Sequence, residues 1–228
     1  MNNNTISSGL KMLFFDINET VLDITPLKSF INGYFNENIY ELWFSKLLHY
    51  SLVSTVTGNF KNFLLLATDA MNSVAVSKGF PINKSISENL CNILSSLPAY
   101  PDVENTLKRL KEKGLLLIAL SNSSNKLLER QLTNANINHL FDKRISVEDL
   151  GFYKPHIMIY NKVAELLDVS PQSCMLIASH DWDIYGALCA GWKTTFVQRS
   201  QYPQYIFSEK PDWEIANLRM LAENIINK

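Results

Sequence analysis

Asp16 closes the run Met12-Leu13-Phe14-Phe15, and an aspartate in that place can act as a nucleophile. Four consecutive apolar residues, two of them aromatic, read as a buried parallel strand, and a parallel sheet presents ligands at the carboxyl ends of its strands. A carboxylate held there beside backbone N–H groups and a lysine stays ionised and can attack an electrophilic carbon or phosphorus to form an ester. Taken alone, an aspartate after an apolar run is more often a turn former or helix cap, so its companions decide. Thr20 offers a hydroxyl that can steady Asp16 within its own loop. Lys154, ahead of Pro155, can project toward the strand ends, hold Asp16 ionised and neutralise an anionic substrate group. Ser121 and Asn122 end a second apolar run, where their donors can bind such a group or cap the following helix. Ser179-His180-Asp181-Trp182-Asp183 follows a third run. Asp183 is expected to cap the next helix and to pair with Lys154, a third role on a hydrolytic water staying open, while Trp182 is expected to pack beneath the site. His180, ordinarily titrating near neutrality, either polarises water or a leaving group or is merely structural.

Elements of two kinds must position these residues. From about Asp23 to Leu97 the periodicity is helical, with helices expected at Leu27 to Phe35, Ile39 to Val56, Phe60 to Gly79 and Ser85 to Leu97. Strands and helices alternate thereafter: a helix from Pro101-Asp102 through Lys113 closed by Gly114, a strand at Leu115 to Leu120, a helix at Asn125 to Ala135, a short strand at Arg144 to Val147 and a helix at His156 to Leu167. Met175 to Ser179 is the next strand, Asp183 to Ala190 a helix, Thr194 to Gln198 a final core strand and Met220 to Ile226 a closing helix. That order predicts an α/β fold with a parallel sheet and right-handed crossovers. Residues 1–20 and 98–228 form its core, and residues 21–97 a helical cap that overhangs the sheet's active edge, excludes water and touches substrate.

The chain has 228 residues, 46% hydrophobic and 19% charged, enough to bury a sizeable core. Its net charge of -1, with lysine and arginine scattered, leaves no electrostatic footprint for nucleic acid or an anionic membrane, so the expected partner is a small-molecule substrate. Whether the chain also forms a homodimer is open. Cys91, Cys174 and Cys189 are widely spaced and odd in number; two lie in apolar surroundings, and buried reduced thiols are favoured over a disulfide or zinc site. Met1 to Gly9 carries neither a basic patch nor an apolar leader core, and no run approaches the ~18 residues of a membrane span. A soluble, cytoplasmic protein is expected.

The order of nucleophile strand, helical segment, Ser121-Asn122, Lys154-Pro155 and terminal acidic motif resembles the haloacid dehalogenase superfamily of hydrolases across essentially the whole chain. Within it, Trp43-Phe44-Ser45-Lys46-Leu47-Leu48-His49-Tyr50, Tyr153-Lys154-Pro155, Tyr160 and Trp182-Asp183-Ile184-Tyr185-Gly186-Ala187 are most similar to the type II L-2-haloacid dehalogenases. The resemblance implies a three-layer Rossmann-like core. It also implies that Asp16 displaces halide from C2 with inversion and that water then hydrolyses the ester. Phosphatases of the superfamily carry a second aspartate, which protonates the alkoxide, where this chain has Asn18. A halide leaves without a proton, whereas phosphoester hydrolysis without that acid should slow by ~10²–10⁴-fold. With Ser179 where the phosphatases place acidic magnesium ligands, the expected cofactor is none, magnesium belonging only to a phosphatase alternative.

The chain departs from the type II pattern at three places. Phe44 stands where those enzymes have an arginine, His180 where they have asparagine, and Asn18-Glu19 where they have a Tyr-Gly pair. Two other functions are carried alongside: a phosphatase or phosphonatase-like hydrolase drawing its leaving-group proton from His180 or Glu19, and a non-enzymatic binding module. The second has no physical need for Asp16, Lys154, Ser121 and Asp183 together. The expected site is therefore Asp16, Lys154 and Asp183 for catalysis and Thr20, Ser121, Asn122, Phe44, Ser179 and His180 for substrate, with no metal ligand.

Overall fold

The computed structural model describes residues 10–81, 85–199 and 205–226. The expectations for Met1 to Gly9 lie outside them. Strand β1 (Met12–Phe15) is buried from Leu13 onward and sits centrally, as its unbroken apolar run requires. It pairs in parallel with β2 (Leu116–Ser121) on one side and β4 (Cys174–Ala178) on the other; β3 (Lys143–Ser146) and β5 (Lys193–Val197) extend the sheet outward. A sixth strand, β6 (Trp213–Ile215), pairs parallel to β5 and completes the order β3-β2-β1-β4-β5-β6. It corrects the expectation that Thr194 to Gln198 would be the last strand. A three-residue strand reading Trp-Glu-Ile offers no period long enough to see.

The chain leaves β1 for β2 on one side and leaves β4 for β5 on the other, so the strand order reverses between β1 and β4. A crevice opens at such a switch point, beyond the carboxyl ends of the strands. Asp16 stands at the end of β1, its backbone N–H bonded to the Ile177 carbonyl of β4 at 2.9 Å, and Ser179 and His180 stand at the end of β4.

Between β1 and β2 lie α1 (Thr25–Phe35), α2 (Tyr40–Val56), α3 (Phe63–Ser77), α4 (Ile86–Ser95) and α5 (Val103–Glu112). In α2, Tyr40, Trp43, Leu47, Ser51 and Ser54 are buried, a stripe at the helical spacing. Helix α3 starts three residues later than expected because Asn62 caps it, its side chain accepting from Leu64 N at 2.9 Å. The chain enters and leaves α1–α4 through segments that pair, with Asp23 N to Pro98 O at 2.8 Å and Tyr100 N to Val21 O at 3.0 Å.

Helices α6 (Asn125–Asn134), α7 (Ile157–Leu166), α8 (Asp181–Cys189) and α9 (Leu218–Ile226) alternate with the later strands and flank the sheet. Of the three free thiols only Cys174 is buried; Cys91 is half-buried and Cys189 exposed, which corrects the expectation of two in apolar surroundings. Burial pushes the Cys174 thiol up to about 12. No helix among the described residues is long and apolar enough to cross a membrane.

Candidate active site

Lys154 organises the site. Its side chain is fully buried, and its Nζ donates to Asp16 Oδ1 at 2.9 Å, to Asp183 Oδ2 at 2.6 Å and to the Leu120 carbonyl at 3.0 Å, which uses all three ammonium hydrogens. The Lys154–Pro155 peptide is cis. Asn122 Oδ1 receives the backbone N–H of Lys154 at 3.0 Å, and Ser121 Oγ receives that of Ser123 at 3.1 Å. Ser121 and Asn122 therefore brace the lysine and the turn after β2. The following helix is capped by Ser124 instead.

Asp16 accepts three hydrogen bonds from side chains on three segments. Beyond Lys154 on Oδ1, its Oδ2 receives the Thr20 hydroxyl at 2.9 Å and His180 Nδ1 at 3.3 Å; Thr20 Oγ1 in turn lies 2.9 Å from Ser179 Oγ and accepts the Ser179 N–H. Burial alone would raise the Asp16 pKa, but Lys154 and His180 outweigh it and hold the carboxyl well below the ordinary range. Asp16 is an ionised, pre-aimed carboxylate. Asp183 also faces Lys154 but takes Tyr160 Oη on its other oxygen at 2.5 Å. Burial pushes its pKa up against the pull of the lysine. It is the third residue of α8 and makes no cap, so only the pairing with Lys154 matches expectation.

His180 departs most from its sequence reading. Its Nε2 lies 3.0 Å from Glu19 Oε2 and its Nδ1 on Asp16, so two carboxylates hold one ring. Burial would lower its pKa, yet these two bonds raise it to about 10, making His180 an imidazolium at neutral pH rather than a group titrating there. Trp182 stacks on the ring with centroids 5.0 Å apart, and Phe44 covers it at 5.5 Å; Trp182 thus flanks the imidazolium rather than packing beneath the site. Glu19 sits at φ 65°, in the left-handed region that a non-glycine residue occupies at a cost. That backbone turn aims its carboxylate at His180 and at Lys28 of α1, 3.1 Å away.

A hollow of about 30 Å³ opens beside His180, lined by Asn18, Glu19 and His180 together with Ile24, Tyr40, Phe44 and other apolar residues of the helical segment. Phe44 gives it an apolar wall, stacked on Tyr40 with centroids 5.8 Å apart. Asp16 does not line it, because His180 covers its carboxylate on that side. Among the residues expected to meet substrate, Phe44 and His180 reach the hollow, and Thr20, Ser121, Asn122 and Ser179 hold its framework.

Four residues in this framework were given no role of their own by the sequence, although Gly186 lies within the segment that carries the resemblance. Gln131 of α6 donates to Asn18 Oδ1 at 2.9 Å while Asn18 Nδ2 reaches Ser123 Oγ at 3.3 Å, which fixes that amide. Arg199 donates to the Thr20 carbonyl at 2.9 Å and pairs bidentately with Asp102 at 3.0 Å, clamping the loop after Asp16. Gly186 has no room for a side chain: a Cβ there would lie 2.7 Å from Pro155 and from Tyr160 Oη. Magnesium does not fit this donor set. Both oxygens of Asp16 and both of Asp183 are taken, two cations crowd Asp16, and Asn18 offers an amide already engaged on both its atoms.

A parallel sheet with an ionised aspartate at the end of its central strand, a buried lysine beside it and helices inserted directly after that strand is an arrangement suited to hydrolysis through an aspartyl ester. A family model, haloacid dehalogenase-like hydrolase, matches residues 10–191, and the chain belongs to that family. It is 31% identical over 198 residues to (S)-2-haloacid dehalogenase 1 of Pseudomonas sp. strain CBS-3, covering 86% of this chain and 87% of that one. It is 26% identical over 217 residues to (S)-2-haloacid dehalogenase of Pseudomonas sp. strain YL, covering 94% of each. The fold matches the L-2-haloacid dehalogenase of Xanthobacter autotrophicus with a TM-score of 0.86 at 23% identity, covering 95% of this chain and 98% of that one. The chain is an enzyme of the haloacid dehalogenase type.

Proposed function

We propose that the enzyme hydrolyses the carbon–halogen bond of short (S)-2-haloacids without a metal, Asp16 serving as nucleophile, Lys154 as its charge partner, Asp183 as the carboxylate that holds Lys154, and residues 21–97 as a cap over a core of 1–20 and 98–228. The observation that carries this reading is an ionised Asp16 bracketed by Lys154 and His180 with no acid placed to protonate a leaving oxygen. Asn18 cannot donate a proton of that kind. An imidazolium raised to about 10 by two carboxylates is a poor acid at neutral pH. Halide departs as an anion and needs neither.

Asp16 attacks C2 from the side opposite the halogen, forming the C2–O bond as the carbon–halogen bond breaks with its electron pair. Oδ2 lies on the side of His180, which separates it from the hollow, so it is the attacking oxygen in this reading, and Lys154 stays on Oδ1. Water then attacks the ester carbonyl, with Lys154 donating to the oxyanion that grows on Oδ1. The 2-hydroxyacid and a proton leave. Phe44 and its aromatic neighbours favour an apolar substituent on C2, while Lys154 and His180 supply the positive potential for the substrate carboxylate.

A panel of chloroacetate, (S)-2-chloropropionate, (S)-2-chlorobutyrate and p-nitrophenyl phosphate, run with and without EDTA, tests the reading. The expected result is halide release indifferent to EDTA, faster for the acids with an apolar group on C2, and negligible phosphate release. Phosphate release that needs magnesium, with no halide from any acid, would overturn it.

A further inference from the structure

We infer that Thr55 and Tyr153 are positioning residues for the reaction, through which the inserted helices set the place of Lys154. This deepens the haloacid reading above and rests on it. Two consecutive backbone N–H groups lead into Lys154, and side chains from different parts of the molecule hold them. The N–H of Tyr153 donates to Thr55 Oγ1, in the last turn of α2, at 2.9 Å; that of Lys154 donates to Asn122 Oδ1, after β2, at 3.0 Å. The Tyr153 hydroxyl reaches the loop before α3 and donates to the Lys61 carbonyl at 2.6 Å. Ser54 shapes that loop, accepting from Lys61 N and donating to the Asn59 carbonyl, both at 2.9 Å. The Tyr153 ring stacks on Phe60 with centroids 4.7 Å apart and lies 6.3 Å from Phe63.

None of these contacts touches Asp16, yet they bear on the atom that does. Tyr153 and Lys154 are adjacent and buried, and Lys154 Nζ uses its three hydrogens on Asp16, Asp183 and the Leu120 carbonyl. A displaced backbone at 153 must stretch at least one of those bonds. A group that serves a reacting atom has to be held within about 0.5 Å of its productive place to keep its effect. The buried N–H of Tyr153 needs an acceptor, and Thr55 supplies it. Without that hydroxyl the orphaned donor favours any shift of the loop that finds it another partner.

The same helix meets the reaction at its other end. Phe44, in the first turns of α2, covers His180 and walls the hollow, while Thr55, eleven residues later, holds the segment that carries Lys154. At a rise of 1.5 Å per residue the two contacts lie about 16 Å apart along one helix. Helix α2 therefore ties the wall beside His180 to the turn that carries the charge partner of Asp16. Burial alone does not call for a hydroxyl at position 55, since valine has the shape of threonine and packs without a polar atom. The hydroxyl is there for the backbone of Tyr153.

The test measures chloride release from (S)-2-chloropropionate by the wild type, Thr55→Val, Thr55→Ser, Tyr153→Phe, Lys154→Met and variants that join Lys154→Met to Thr55→Val or to Tyr153→Phe, with folding followed by circular dichroism. Thr55→Val keeps the shape and removes the acceptor; it should lower kcat about 10-fold with KM within about two-fold of wild type. Thr55→Ser keeps the hydroxyl and should stay within about three-fold of the wild-type kcat. In single turnovers with enzyme in excess, Thr55→Val should have no further effect once Lys154 is replaced, because a residue that acts through the lysine then has nothing to act on. A wild-type kcat in Thr55→Val would overturn the inference. Equal losses in the valine and serine variants would do the same, as would a further loss in the Lys154→Met background. If Thr55→Val does not fold, Tyr153→Phe decides: a kcat at least ~3-fold lower at unchanged KM, with no further loss beside Lys154→Met, supports the inference, and wild-type turnover overturns it. Absence of chloride from the wild type would instead remove the haloacid reading and this inference with it.

Discussion

Asp16 and Asp183 share one ammonium but part company in their surroundings. Asp16 adds Thr20 and His180 on its second oxygen and is held ionised, whereas Asp183 is sealed against Tyr160, whose own hydroxyl burial and Asp183 push well above its ordinary range. Removing the ammonium would leave two buried carboxylates facing each other. Lys154→Met should lower kcat by ~10²-fold or more and cost about 3–5 kcal/mol in stability. Halide-release assays and urea unfolding read the two effects, and an unchanged kcat would remove Lys154 from the catalytic set. His180 gives a pH signature. Its folded pKa of about 10 lies above its ordinary 6.5, so its ion pairs stabilise the fold fully below about 6.5 and lose that contribution as pH rises toward 10. The Tm advantage of wild type over His180→Gln should accordingly shrink between pH 7 and pH 10. A difference that stays constant would show that the ring is not held protonated. Glu19, depressed by His180 and Lys28 against its burial, contributes on the opposite side and loses its share as pH falls through its carboxylate range.

The elements that hold these residues were unequally legible. The run Met12–Phe15, the Ser121 turn and the Ser179–Asp183 cluster announce themselves because each follows a continuous apolar strand, and each strand was found within a residue or two. What was hidden depends on partners distant in sequence. His180 reads as neutral in isolation because Glu19 and Asp16 lie 161 and 164 residues away, and Asp183 reads as a helix cap because only the folded chain brings Tyr160 and Lys154 to its oxygens. Gly186 illustrates the same limit. Nothing local calls for glycine in the middle of α8, yet its α-carbon is the surface on which Pro155 and Tyr160 rest. Gly186→Ala should cost about 1–3 kcal/mol through overpacking and should lower kcat, because the displaced neighbours carry Lys154 and the hydroxyl on Asp183. Thermal melts and halide assays measure this; a variant with wild-type Tm and kcat would show that the loop yields freely.

At the scale of the molecule, the sheet's switch point and the inserted helices converge on one small hollow. The core delivers His180 to its wall from the end of β4 and sets Asp16, just after β1, and Lys154, before α7, behind that ring, while α1 and α2 contribute Lys28 through Glu19 and the aromatic wall of Tyr40 and Phe44. Arg199 and Asp102 lock the loop after Asp16 from the far side, a clamp between residues 97 positions apart that no local pattern reveals. The central claim is that oxygen reaches product through Asp16. With enzyme in excess over (S)-2-chloropropionate in ¹⁸O-labelled water, a single turnover should place the label in the Asp16 carboxylate, found by peptide mass spectrometry, and leave the 2-hydroxypropionate unlabelled. Label appearing in the 2-hydroxypropionate of the first turnover, with none on Asp16, would mean that water attacks C2 directly and would contradict the account.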